Sequence, residues 1–129
     1  MDSRSQSRER ALSLLYEAET KSIPVAEVLE AQIDPADHLT QTLVEGVSDH
    51  LGRIDTLISE RATGWTIERM PSLDRLLLRM ATFELIARID VPVAVIIDEA
   101  VELAKRFSTD DSGRYVNGVL SAIARDLGR

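Results

Sequence analysis

The chain has 129 residues, of which 44% are apolar and 29% charged, with a formal net charge of −7 and no cysteine. These values predict one globular domain over residues 1–129 and exclude disulfides and thiolate metal sites. They also argue against nucleic-acid binding over the whole surface, because phosphate binding depends on lysine and arginine. No segment has the composition of a membrane span or a secretory signal, so a cytoplasmic protein is expected.

The charge is distributed unevenly along the sequence. Residues 1–10 carry three arginines against two acids, whereas residues 11–60 carry two bases against ten acids. Residues 61–129 are balanced, with ten bases and ten acids. Any contact with a polyanion is therefore expected to be local, and the amino-terminal segment is the first candidate for it.

The first half of the chain has helical periodicity. A first helix is predicted over about 7–20, and prolines at 24 and 35 are each expected to start another helix. An apolar stripe from Leu39 to Ile58 then predicts a long helix with a bend at Gly52, which ends before Gly64. Trp65 and Met70 are expected to fill the junction between the two halves.

The second half is more apolar and predicts three further helices. The segment after Pro71 is apolar nearly all round, as is typical of a central helix, and Pro92 starts the next one. A capping cluster at 108–111 precedes the last helix, where Gly118 is expected to permit close helix packing. The sequence thus predicts an all-α fold of six or seven helices.

The residues predict no catalytic centre, metal site or cofactor site. His38 and His50 are twelve positions apart and lack the spacing of a zinc-binding helix. Acidic side chains at 98, 99 and 102 lack the Glu-x-x-His pattern of carboxylate metal sites in helical bundles. The six glycines form no phosphate-binding loop. A non-enzymatic interaction protein is therefore expected.

Four stretches in order along the chain resemble the NusB family. They are RERALSLLYEAE at 8–19, W-x3-RMPSLDRLLLRMATFEL at 65–85, DVPVAVIIDEAVELAKRFSTDDS at 90–112 and YVNGVL at 115–120. The resemblance implies two small helical bundles packed crosswise, and a transcription antitermination factor that supports ribosomal RNA synthesis. The implied partners are boxA RNA of ribosomal leader transcripts, the ribosomal small-subunit protein NusE and the RNA polymerase antitermination complex.

Two sets of RNA-binding residues follow from this resemblance. The amino-terminal set is Arg4, Arg8 and Arg10, whose guanidinium groups suit phosphates and unpaired bases. Because these arginines are expected to be exposed, charge reversal at Arg8 and Arg10 is predicted to weaken RNA binding without lowering stability. The second set lies at the start of the last helix and consists of Asp111, Ser112, Tyr115 and Asn117. Helix capping alone also accounts for Asp111.

The residues that the resemblance assigns to the NusE face are Tyr16, Glu68 and Asp74. Acidic side chains suit a basic ribosomal protein, because complementary charge orients the encounter. The alternative for both acids is a role in a turn or at a helix amino terminus, where negative charge is favourable. A second function class also stays open: a helical protein-interaction module that could form a homodimer and has little RNA affinity of its own.

Overall fold

A computed structural model describes residues 3–129 of the chain. Within this range the secondary structure is helical throughout, and no strand is present. The helices are α1 (Ser3–Lys21), α2 (Val25–Glu30), α3 (His38–Asp49), α4 (Leu51–Arg61), α5 (Ser72–Ala87), α6 (Val93–Phe107) and α7 (Asp110–Asp126), with one 3-10 turn at Ile67–Arg69. The predicted all-α fold is confirmed, and so is the upper count of seven α-helices for residues 3–129.

Helix starts follow two chemical devices. Proline precedes the first residue of α2, α5 and α6, where its fixed φ suits helix entry. Side-chain caps start α3 and α7: Asp37 accepts a hydrogen bond from the Thr40 amide at α3, and Thr109 accepts one from the Ser112 amide at α7. The prediction that Pro35 starts a helix is therefore wrong, because the acidic cap two residues later sets the beginning of α3.

The long helix expected between Leu39 and Ile58 is two helices. The break falls at His50, whose φ of −116° and ψ of 19° lie outside the helical region, and not at Gly52. The His50 ring lies 5.6 Å from the Phe83 ring, and its Nδ1 is 3.0 Å from the Gly46 carbonyl oxygen. Gly46 itself faces the Phe83 ring so closely that a Cβ would collide with it.

The helices form two groups that share α5. Helices α1, α2 and α3 pack on one another, as do α6 and α7, and α5 contacts α1, α3, α4, α6 and α7. Ten of the sixteen residues of α5 are buried, including Leu77 and Leu78 in full. The prediction of a central helix in the second half is confirmed, and α5 is the element that contacts both groups and joins them.

Two predictions about single residues near this junction are wrong. Met70 is buried as expected, but Trp65 is 49% exposed and does not fill the core. Gly118 has open space where a side chain would lie, whereas a Cβ on Gly113 would be 3.0 Å from Lys105 Cγ. Gly113 is therefore the glycine that permits the close contact between α6 and α7.

None of the helices between residues 3 and 129 combines the length and apolar character that crossing a bilayer requires.

Candidate nucleic-acid interface

Arg8 is a buried structural residue. It is 3% exposed, and its Nε and Nη2 each donate to a carboxylate oxygen of Glu84 at 2.9 Å. A third contact, from Nη1 to Glu99 at 3.3 Å, reaches α6. The expectation that Arg8 is exposed is wrong, and so is the premise that charge reversal there leaves stability unchanged. A direct contact between Arg8 and RNA stays a prediction.

The sequence does contain a signal for the burial of Arg8. Positions 8, 11, 12 and 15 recur at helical spacing, so Arg8 continues the apolar stripe of α1. Its partner Glu84 is also a single charge within the otherwise apolar second half of α5. Since an isolated buried charge is costly, a basic and an acidic residue on two buried faces are candidates for pairing.

Arg10 is also engaged within the protein. Its Nη2 donates to the carbonyl oxygen of Asp34, and its Nη1 donates to that of Pro35 at 3.2 Å. These contacts hold the segment between α2 and α3 against α1. Arg4, one turn before Arg8, lies on the exposed surface of α1. The three arginines of the amino-terminal set therefore occupy three different environments.

A surface cavity of about 660 Å³ lies at the amino-terminal end of α1. Its charged lining consists of Arg4, Arg10, Arg88 and Asp37, so three positive charges stand against one negative charge, a net of +2. The other lining residues are Ser3, Gln6, Ser7, His38 and Leu39. We call this the basic cavity. It is a local exception in a chain of net charge −7, and its charge suits a polyanion.

Asp37 links the floor of the basic cavity to two helices. Its carboxylate accepts hydrogen bonds from Ser7 at 2.6 Å and from the Thr40 hydroxyl at 2.5 Å. Loss of hydration beside the protein by itself raises the pKa of Asp37, but the hydrogen bonds from Ser7 and Thr40 outweigh this effect and lower the pKa from 3.8 to about 2. Asp37 is therefore ionised at neutral pH and fixes α3 to α1.

A second surface cavity, of about 450 Å³, lies where α7 begins. We call it the α7 cavity. It contains three predicted RNA-binding residues, Asp111, Ser112 and Tyr115, together with Asp74 from the predicted partner face. Its remaining lining residues are Trp65, Pro71, Ser108 and Thr109. The two sets that sequence reasoning kept apart therefore meet in one place.

Polar groups of the α7 cavity are incompletely paired. Ser112 Oγ donates to Asp74 Oδ2 at 2.9 Å, whereas Asp74 Oδ1 and the Tyr115 hydroxyl are buried without a hydrogen-bond partner among residues 3–129. Burial raises the pKa of Tyr115, and the charge of Asp74 raises it further. Tyr115 therefore stays protonated at neutral pH and remains a donor.

Trp65 is a residue that sequence reasoning assigned to the core. Its ring is half-exposed at the rim of the α7 cavity, which Tyr115 also lines. Two aromatic rings at one cavity provide stacking surfaces for unpaired bases. In the sequence, the signal was the position of Trp65 directly after Gly64, because glycine is typical of turns. In the structure Gly64 has a φ of +83°, which marks a turn and not a helix interior.

The remaining members of the predicted sets are exposed. Asn117 lies on the outer face of α7, and Glu68 lies on the 3-10 turn. Asp111 pairs with Arg114 on the surface of α7. Neither Asn117 nor Glu68 lines the basic cavity or the α7 cavity. Their proposed roles in RNA and partner binding thus depend on ligands that extend beyond the two cavities.

Tyr16 belongs to a third, apolar surface. It is exposed beside a cavity of about 130 Å³, which is also lined by Leu12, Leu73 and Phe107. Phe107 is exposed as well, and the Arg106 guanidinium lies 4.9 Å from the centre of its ring. We call this surface the Tyr16–Phe107 face, and it suits a partner protein, because exposed aromatic pairs are typical of interface centres.

Comparison with known proteins gives a consistent result. The model of the NusB family matches residues 5–125. The transcription antitermination protein NusB of Saccharopolyspora erythraea is 48% identical over 96% of this chain and 88% of its own length. The structure of T. maritima NusB superposes with a TM-score of 0.86 and 34% identity, over 95% of this chain and 91% of the other.

A further match involves a complex. A chain in the crystal structure of antitermination factors NusB and NusE in complex with dsRNA superposes with a TM-score of 0.81 and 27% identity, over 95% of this chain and 96% of that one. The family model, the sequence relative and the solved structures each cover almost the whole chain. This protein belongs to the NusB family.

Proposed function

We propose that the protein is a transcription antitermination factor that binds RNA together with NusE. The observation that carries this proposal is the similarity to NusB proteins, in sequence and in fold, over nearly the whole chain; one of these proteins is named a transcription antitermination protein. The superposition on a chain from the complex of NusB and NusE with dsRNA supports both kinds of partner, RNA and NusE. The role is that of an adaptor, and it requires no catalytic group.

The two cavities supply different parts of RNA recognition. The basic cavity, with its net charge of +2, suits backbone phosphates. The α7 cavity contains two carboxylates and no cation in its lining, so a phosphate there would be repelled. Its two aromatic rings, Trp65 and Tyr115, instead suit the stacking of unpaired bases. Recognition of single-stranded RNA through both features is the simplest arrangement.

The Tyr16–Phe107 face is the proposed contact for NusE. Its apolar centre is bordered by Glu9, which pairs with Arg106 at 2.6 Å. Glu68 and Asp74 are the other residues proposed for this contact, because negative charge would favour a basic ribosomal protein. Asp74 is 5% exposed, so its contribution to partner binding is through its effect on neighbouring groups and not through a surface contact.

The finer assignments also follow the family resemblance. The RNA is the boxA element of ribosomal leader transcripts, and the assembly is the RNA polymerase antitermination complex. Residues 1–129 act as one RNA-binding and protein-binding domain. The role requires a place in the cytoplasm, beside transcribing polymerase.

Binding of a boxA oligonucleotide to the purified protein, with and without NusE and at two salt concentrations, tests this function. We expect each ligand to raise the affinity for the other by about 1–3 kcal/mol, because a basic partner covers acidic surface that repels RNA. Titration of NusE into the free protein and into the RNA complex should therefore give different dissociation constants. Equal constants would reject the coupling.

The homodimeric interaction module is the alternative outcome of the same experiment. The exposed Tyr16–Phe107 face is the observation that supports this alternative, because two copies of the chain could bury this face against each other. In that case neither RNA nor NusE would bind, and sedimentation would show a dimer that Tyr16→Asp converts to a monomer.

A further inference from the structure

Arg88 is a cation of the basic cavity that no predicted RNA-binding set contains. It follows directly after α5, where the partial negative charge of a helix carboxyl terminus favours a positive side chain. Its side chain is 22% exposed, which places it between the buried Arg8 and the exposed Arg4. Arg88 is thus within reach of a ligand while its position is still determined by the protein.

Glu84 determines that position. Its Oε1 accepts a hydrogen bond from Arg88 Nη1 at 2.7 Å and another from Arg8 Nη2 at 2.9 Å. One buried carboxylate is therefore shared by two guanidinium groups, one inside the protein and one at the cavity wall. Because Arg8 holds Glu84 from the inside, the Arg88 side chain is pre-organised and loses less entropy when it binds a ligand.

Arg88 retains most of its donor capacity. A guanidinium group has five N–H donors, and within residues 3–129 the Arg88 side chain makes a single hydrogen bond, to Glu84. Arg10 differs, because both of its terminal nitrogens already donate to the loop before α3. Of these two arginines in the basic cavity, Arg88 is the one with a free edge for two parallel hydrogen bonds to a phosphate.

We propose that Arg88 binds a backbone phosphate of single-stranded RNA in the basic cavity, and that Glu84 is the residue that positions it. This inference rests on the proposed function and adds a ligand residue to it. Arg4 and Arg10 supply further positive potential from the opposite helix. Arg8 contributes indirectly, because it fixes the Glu84 carboxylate that in turn positions Arg88.

The test is RNA binding by Arg88→Gln in the presence of NusE, over a series of salt concentrations. Arg53→Gln is the matched control, because Arg53 is an exposed arginine of α4 outside the basic cavity and its loss changes the net charge equally. For Arg88→Gln we expect affinity to fall roughly tenfold. We also expect the magnitude of the negative slope of log K against log salt to fall by about 0.7, the value for one phosphate contact on a single strand. Arg53→Gln should leave both quantities near wild type.

Arg88→Lys separates charge from geometry. It should keep the salt slope but lose affinity, because an ammonium group cannot make two parallel hydrogen bonds. If Arg88→Gln unfolds, the Nε–Hε resonance of Arg88 in the wild-type protein decides the question, and added boxA oligonucleotide should shift it while the Arg53 resonance stays in place. An unchanged Arg88 resonance, or wild-type affinity and slope in a folded Arg88→Gln, would overturn this inference and leave the proposed function intact. Failure of the wild-type protein to bind RNA with NusE present would overturn both.

Discussion

The basic cavity and the α7 cavity differ in how their buried carboxylates are neutralised. Behind the basic cavity, Glu84 contacts two guanidinium groups, and Glu99 contacts Arg8 and Ser5 as well. In the α7 cavity, Asp74 has one hydroxyl donor and, among residues 3–129, no basic partner. The first arrangement is a rigid support for the wall of the basic cavity. The second arrangement leaves one buried carboxylate oxygen and one buried hydroxyl without a hydrogen-bond partner among residues 3–129.

Arg8→Ala is expected to have the largest effect, since it removes the main partner of a buried charge. We expect the free energy of unfolding to fall by about 3–5 kcal/mol, as is usual when one member of a buried ion pair is removed. Urea denaturation of Arg8→Ala and of the exposed control Arg53→Ala measures this. The double variant Arg8→Met with Glu84→Met should recover much of the loss, because the two charges that lose a partner, Arg88 and Glu99, are partly exposed and not fully buried. Equal midpoints for Arg8→Ala and wild type would contradict the buried pair.

Ser112→Ala tests the α7 cavity in the same way. It removes the only hydrogen bond to the Asp74 carboxylate from residues 3–129, so we expect a loss of about 1–3 kcal/mol in unfolding free energy. The Thr109 cap survives, because it binds the Ser112 backbone amide. A double-mutant cycle with Asp74→Ala should give less than additive losses. Strict additivity would show that the two side chains do not interact.

The pH dependence of stability should reveal Asp37. Its pKa is about 2 in the folded protein and 3.8 ordinarily, so the folded state binds the proton less readily than the unfolded state. The stabilisation is therefore complete above about pH 4 and is lost as the pH falls toward 2. Because Asp37 is exposed, solvent screening limits it to about 1 kcal/mol or less. Thermal melts of wild type and Asp37→Asn should differ at pH 6 and converge near pH 2, and a constant difference would exclude this linkage.

Tyr115→Phe should have the smallest effect, and of the opposite sign. The hydroxyl is buried without a partner in the structure, so its removal should raise the unfolding free energy by a few tenths to about 1 kcal/mol. Affinity for the boxA oligonucleotide should stay near wild type, because the buried hydroxyl is out of reach of a base and stacking on the ring is retained. Differential scanning calorimetry measures the first quantity. A destabilised Tyr115→Phe would mean that the hydroxyl already has a partner in the free protein.

The fold was predictable from the helical periodicity of apolar residues and from the positions of the prolines. Apolar spacing defined the helices, and the prolines at 24, 71 and 92 marked three of their starts. The break at His50 was not predictable, because it depends on the fit of Gly46 and His50 against Phe83, more than thirty residues away. Local propensity favoured Gly52 instead. Long-range packing decided between two neighbouring positions.

The candidate site was predictable in part. The amino-terminal segment and the start of α7 were identified from residue types, and the structure places a cavity at each. Arg88 was missed because its role depends on two contacts made through Glu84, which no spacing along the sequence reveals. Trp65 was misassigned because a large apolar ring is equally at home in a core and on a stacking surface. Exposure, and not residue type, separated these alternatives.

The pairing of Arg8 with Glu84 also constrains the order in which the chain can fold during synthesis. Helix α1 leaves the ribosome first, yet the carboxylate that neutralises Arg8 is encoded 76 residues later. Until then the guanidinium must stay hydrated, so α1 cannot dock in its final position. Helices α6 and α7 are joined by only two residues and can associate as soon as they emerge. The part of the basic cavity that α1 contributes is therefore translated first and completed late.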